Sequence, residues 1–352
     1  MSVSDGGAEL VATGDLDALV DHVGRLCAAG SWAALWDLRT RCRNAHERGQ
    51  QLWPIASLVE YRCALDGPGP WAARALEEGA GTWTLGPLPE VAASRHRFAE
   101  LAPSLSPGPP AAQFARECAA GGEDLSGPAA EPWRPLLPTD DGVPLSPQPW
   151  EPAYPAPRYH PSGAEFPAPP PLPPGSSAPV RRPPTTHPSP SVVDDPVATN
   201  ALRELTAGWA AGWDATATAR VVAVEGDAGD AVAAASDTAD RLAPLRTAEA
   251  LEWMVWAASS GGETGRRRGR AAGRFDAWWA VVALAGADDD WPLPPDEVGA
   301  LAAGLRWFTF TDPRRPTGWH LRLAVEDPAE GLAWALDAHA TDNDDTPPPT
   351  GG

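Results

Sequence analysis

The sequence predicts a mainly α protein in two parts: an N-terminal α-helical array of antiparallel helix pairs and a C-terminal α+β domain with a small sheet. Three observations carry this. Apolar residues recur at helical spacing through the first third of the chain. Two short runs near the C-terminus alternate with a period of two. Between the parts, residues 127–196 hold 23 of the 42 prolines. Proline cannot donate to a helix or a strand ladder, and its ring clashes with the preceding helical turn. A length of 352 residues suits two domains. The boundaries read as 10–126 for the array, 127–196 for a proline-rich extended linker, 197–345 for the α+β domain and 346–352 for a disordered tail.

In the array, Leu16, Leu19, Val20, Val23, Leu26 and Cys27 follow the i, i+3, i+4, i+7 template. Gly30 ends that helix and Ser31 is placed to cap the next. Trp32, Leu35, Trp36, Cys42 and His46 continue the pattern to about Arg48. Pro54 suits the first turn of a third helix, which buries Ile55, Leu58, Val59 and Cys63. Further helices are expected at about Pro70–Glu78, Leu88–Leu101 and Pro110–Ala120. Short connections imply antiparallel neighbours. The layout has the shape of helix-pair repeats without a position-by-position repeat signature.

In the linker, Trp133, Trp150, Tyr154 and Tyr159 stand between prolines, where aromatic rings can dock on a domain surface. Pro161–Pro190 reads as polyproline-like. In the C-terminal part, a helix is expected near Val197–Trp209 and a strand at Val221–Val224. Three helices follow, bearing Val232 to Leu242, Leu251 to Ala258 and Phe275 to Val282. A short helix after Pro295 leads to two strands, Trp307–Phe310 and Trp319–Val325. The second alternates Trp319, Leu321, Leu323 and Val325 with His320, Arg322 and Ala324, so His320 is expected at the surface. A last helix is expected from Pro328, burying Leu332, Ala335 and Leu336. Ala223-Val-Glu-Gly-Asp227 and Ala324-Val-Glu-Asp327 look alike, each a strand and an acidic turn before a helix. One turn chemistry used twice and an internal duplication both fit.

Composition narrows the function. The chain has no lysine and one isoleucine, Ile55, which reads as a GC-rich bacterial genome. The formal net charge is -20, which disfavours nucleic acid, because phosphate backbones demand a cationic footprint. Four cysteines without a CxxC pair, no signal-peptide pattern and no spanning apolar run predict a reduced, cytoplasmic protein that does not engage a membrane.

The sharpest local feature is Gly262-Glu-Thr-Gly-Arg-Arg-Arg-Gly-Arg-Ala-Ala-Gly-Arg274. If it is helical, Arg266, Arg270 and Arg274 share one face, with Gly265, Gly269 and Gly273 beside it. Arg267 and Arg268 complete the cluster. Such a stripe calls for compensation by internal carboxylates such as Asp288, Asp289 and Asp290, by a protein partner, or by a bound phosphorylated ligand. Cys42 and His46 lie four residues apart, with Cys27 and Cys63 on neighbouring helices. All three cysteines fall on apolar stripes, which favours packing over zinc. No nucleophile motif is present. Asp342-Asn-Asp-Asp345 lacks the glycine and distal Glu of an EF-hand loop. The 17 tryptophans include Trp253 and Trp256 on a helix apolar nearly all round, and interfaces favour Trp and Arg together. The sequence therefore predicts a non-enzymatic interaction or scaffold protein with a protein partner, no metal and no cofactor. The alternative is a C-terminal domain that binds an anionic ligand, or acts as an enzyme, through the Arg-rich helix.

Overall fold

The computed structural model describes residues 3–138, 142–168, 177–180, 190–211, 216–263, 265–314 and 318–341. The chain is mainly α and has two parts. By contact it divides into one unit of Met1–Thr139 with Ala156–Pro167 and a second of Asp140–Pro155 with Ala168–Gly352. The proline-rich stretch thus contributes to both. The run Asp342–Asp345 and the tail after it lie outside the described residues.

The first unit contains α1 (Val3–Thr13), α2 (Leu16–Ala28), α3 (Trp32–Glu47), α4 (Trp53–Asp66), α5 (Gly69–Ala75), α6 (Leu88–Ala93), α7 (Phe98–Leu101) and α8 (Pro109–Ala120). Asp15 caps α2 by accepting the Ala18 N–H at 3.0 Å. The single helix expected over Leu88–Leu101 is two, because Ser94–Arg97 breaks it and Arg97 is extended. Pro128–Leu136 winds into a 3-10 helix. An antiparallel hairpin, β1 (Arg158–His160) and β2 (Gly163–Glu165), belongs to this unit. Its Tyr159 is 2% exposed and donates to Glu90 Oε2 at 2.6 Å. The Tyr61 hydroxyl donates to the His160 carbonyl at 2.7 Å. Burial, opposed by that bond, pushes the Tyr61 phenol up to about 12.

The second unit is built on seven antiparallel strands. They are β3 (Ala178–Pro179), β4 (Ser191–Val192), β5 (Thr216–Glu225), β6 (Arg241–Leu245), β7 (Arg306–Thr311), β8 (Trp319–Asp327) and β9 (Leu332–Thr341). Their order is β3-β6-β7-β8-β9-β5-β4. One face packs on α9 (Pro196–Glu204), α11 (Thr247–Ser259), α12 (Arg270–Leu284) and α13 (Pro295–Gly304), with Leu321, Leu323, Val325, Trp334 and Leu336 in the shared core. The other face packs on α10 (Ala228–Ala235) through Val224, Phe310, Ala324, Ala333 and Ala335.

Three expectations are corrected here. The segment from Leu332 is strand β9. Leu332, Trp334, Leu336 and Ala338 face one core while Ala333 and Ala335 face the other, and alanines on both faces hide the period of two. The helix expected to reach Leu242 stops at Ala235, and Leu242 pairs with Phe310 in the sheet. The two acidic turns also differ. Asp227 and Asp230 form a capping box on α10, whereas Asp327 Oδ1 accepts the Ala329 N–H at 2.8 Å in a turn into a strand.

Gly273 lets α12 lie close against α11. A Cβ there would stand 2.5 Å from the Val255 carbonyl oxygen and 2.8 Å from the Ser259 nitrogen. Gly273→Ala should therefore cost about 1–3 kcal/mol in urea unfolding, because two backbones must part. Gly24→Ala on α2 has nothing within 4 Å and should instead gain up to about 1 kcal/mol.

Candidate functional site

The arginine cluster does not make one helical face. Gly269 has φ 98° and caps a helix that begins at Arg270, so Arg266, Arg267 and Arg268 precede it. Arg274 is buried and forms a fork–fork pair with Glu151, Nε to Oε2 at 2.7 Å and Nη2 to Oε1 at 2.6 Å. It also donates to the carbonyls of Pro144 at 2.5 Å and Ser146 at 3.1 Å. Glu151 accepts the Gln148 N–H and the Tyr154 hydroxyl as well. Burial pushes the Glu151 carboxyl up, but the Arg274 hydrogen bonds and charge outweigh it and hold the group below the usual carboxylate range. Arg270 is buried and donates to the Tyr154 carbonyl at 3.5 Å. Arg268 pairs with Asp276 at 2.5 Å. Burial leaves the Asp276 carboxyl above its ordinary value despite that arginine. The carboxylates facing Arg274 and Arg268 are thus Glu151 and Asp276, in place of Asp288, Asp289 and Asp290.

Trp253 and Trp256 are half-buried. Trp256 stacks on Trp319 with centroids 5.2 Å apart and 1° between planes, and meets Trp209 edge-on at 6.0 Å. Trp253 meets Trp256 edge-on at 5.9 Å. Cys42 and Cys63 are fully buried, and burial pushes their thiols up to about 11 and about 12. The His46 ring faces the Gln50 carbonyl through Nδ1 at 3.2 Å. Among the described residues no group of three or more His, Cys, Asp or Glu is placed to hold a metal ion. Among them, too, no helix is long and apolar enough to cross a membrane.

Each unit holds a cavity lined by described residues. The first, about 260 Å³, lies against α3, α4 and the loop after α5, and is lined in part by Arg43, His46, Trp53, Glu60 and Trp83. Glu60, 1% exposed, accepts from Arg39 Nε at 2.7 Å, Arg43 Nη2 at 2.5 Å and the Gly81 N–H at 2.8 Å. This carboxylate ties the loop to both helices. Trp83 rests on Trp53 with centroids 5.2 Å apart.

The second cavity, about 290 Å³, lies on the α10 face of the sheet. There α10 has ended, and the strands turn polar. In register across β8, β9 and β5 stand Arg322, Asp337 and Arg220, and beside them His320, His339 and Thr218. Arg322 and Asp337 are buried and paired at 3.3 Å. Arg220 lies exposed at the rim and donates to the Ala234 carbonyl at 2.8 Å. Thr218 Oγ1 is 2.9 Å from His339 Nδ1. The loop after β7 adds Arg314 and buried Asp312, whose Oδ1 accepts the Arg314 N–H. His320 is half-buried, not fully exposed, because its strand lies inside the sheet. Burial and then the charge of Arg322 lower its pKa, so the ring is neutral at pH 7, and Nδ1 stands 2.9 Å from the Gly318 carbonyl. Sequence reading missed this site because its residues are scattered over more than a hundred positions. The one local signal is the alternation in β8, which sets His320 and Arg322 together on one face.

No curated protein and no solved structure matches the chain. A family model does match, over residues 17–342 and so across both units. The chain belongs to the family of unknown function DUF6183.

Proposed function

We propose that the chain is a non-enzymatic interaction protein, a scaffold that engages a protein partner through its first unit. The observation that supports this is an apolar patch the fold leaves open. Trp83, Leu85 and Phe166 are 46%, 53% and 37% exposed. Trp83 and Leu85 share the loop after α5, and Leu85 lies near Phe166 through the packing beneath them. Gly86 is in close contact with the Tyr159 ring, and Tyr159 meets Phe166 edge-on at 6.0 Å. Large exposed apolar side chains gathered in one place are a feature of binding surfaces. A tryptophan beside an arginine, here Trp83 beside Arg43 in one cavity, is the pairing that interface centres favour. Less supports an anion cradle at Arg266–Arg274, since Arg268 and Arg274 already face carboxylates.

A photo-crosslinking side chain at position 85, in the producing cell, should give a discrete heavier adduct. The same group at exposed Ser106 should give none, and Trp83→Ser should remove the adduct at 85. Adducts equally abundant at both positions, or absent from 85, overturn the reading.

A further inference from the structure

We infer that the cavity on the α10 face of the sheet binds a small hydroxylated acid of the sugar phosphate or sugar carboxylate class. It is an activity of the second unit, separate from partner binding by the first. Elsewhere this face is sealed by α10 with valine and alanine. Where α10 stops, the central strands β8 and β9 carry a buried arginine and a buried aspartate. Such a pair gains little over an apolar pair of the same volume, so it is weak evidence for a stabilising role. Its Asp337 lines the open cavity.

The rim supplies the recognition. Arg220 and Arg314 line the same cavity, and among the described residues neither side chain pairs with a carboxylate. Guanidinium forks match the two oxygens of a carboxylate or phosphate. Asp237 and Asp312 line the cavity too. They repel a bare anion, but they accept hydrogen bonds from ligand hydroxyls, as Thr218 and Thr238 also can. The site therefore suits a molecule that carries both an oxyanion and hydroxyls. Its volume of about 290 Å³ falls at the small end of ligand pockets.

Isothermal titration of the full chain with glucose 6-phosphate, glucuronate, glucose and inorganic phosphate tests this. One of the two sugar acids should bind with Kd below about 1 mM, and the arm that binds identifies phosphate or carboxylate as the anchor. Glucose and inorganic phosphate should each bind at least about tenfold more weakly, lacking one of the two contacts. Arg220→Ala with Arg314→Ala should weaken the sugar acid by about tenfold or more, while Arg134→Ala in the first unit should not. Circular dichroism checks that the double variant folds, and Thr218→Val serves as a second probe that keeps both arginines. The inference is overturned by no binding of either sugar acid, by inorganic phosphate binding as tightly, or by full affinity in the double variant. None of these results bears on the crosslink at position 85.

Discussion

Glu151→Ala is expected to destabilise the second unit by about 3–5 kcal/mol, because it leaves the buried Arg274 guanidinium without its counter-charge. The two side chains are 0% and 3% exposed. Arg274 keeps the Pro144 and Ser146 carbonyls, but carbonyl dipoles do not neutralise a full charge. Exchanging both partners, Glu151→Leu with Arg274→Met, should recover part of the loss, since no charge is then buried although the Tyr154 hydroxyl and the Pro144 and Ser146 carbonyls lose a partner. Urea unfolding followed by tryptophan fluorescence measures both, and a loss under about 1 kcal/mol for Glu151→Ala would show that water reaches the pair. The pH dependence has a fixed sign. The folded Glu151 carboxyl titrates below its ordinary value. Its contribution is complete above the unfolded carboxyl pKa, about 4.3, and is lost as pH falls through the lower folded value. Wild-type stability should thus drop on acidification in a way that the Leu/Met double variant does not share.

Glu60→Ala should be comparably costly in the first unit, about 3–5 kcal/mol. Three donors converge on this buried carboxylate, from α3 twice and from the Gly81 N–H. Arg39, with an 11% exposed side chain, would be stranded in the interior. Arg43, 40% exposed, would turn to water, so Arg43→Ala should cost no more than about 1 kcal/mol. Amide exchange separates the two roles of Glu60. Faster exchange at Gly81–Gly86 in Glu60→Ala, well beyond the rest of the unit, shows that it pins the loop carrying Trp83. Uniform acceleration would show only lost stability.

The helices of the first unit were legible because leucine, valine and cysteine repeat at 3.6 residues on otherwise polar surfaces. β8 was legible because Leu321, Leu323 and Val325 alternate with His320 and Arg322. β9 was not, since alanine serves both of its faces and offers no contrast in hydropathy. Arg274 stood out from its neighbours in sequence. Its partner did not, because Glu151 lies 123 residues away in a stretch that proline content marked as a tether. The polar cavity of the second unit was invisible for a related reason. Thr218, Asp337 and Arg322 meet only once antiparallel register aligns β5, β9 and β8, and no spacing along the chain encodes that register.

Glu151 and Tyr159 are close in sequence, yet one sits in the interior of the second unit and the other in the interior of the first. A gene fragment ending at residue 126 would lack the ring that Glu90 holds, and one starting at residue 197 would lack the carboxylate that Arg274 needs. A half cut at either position loses a side chain that its own interior holds.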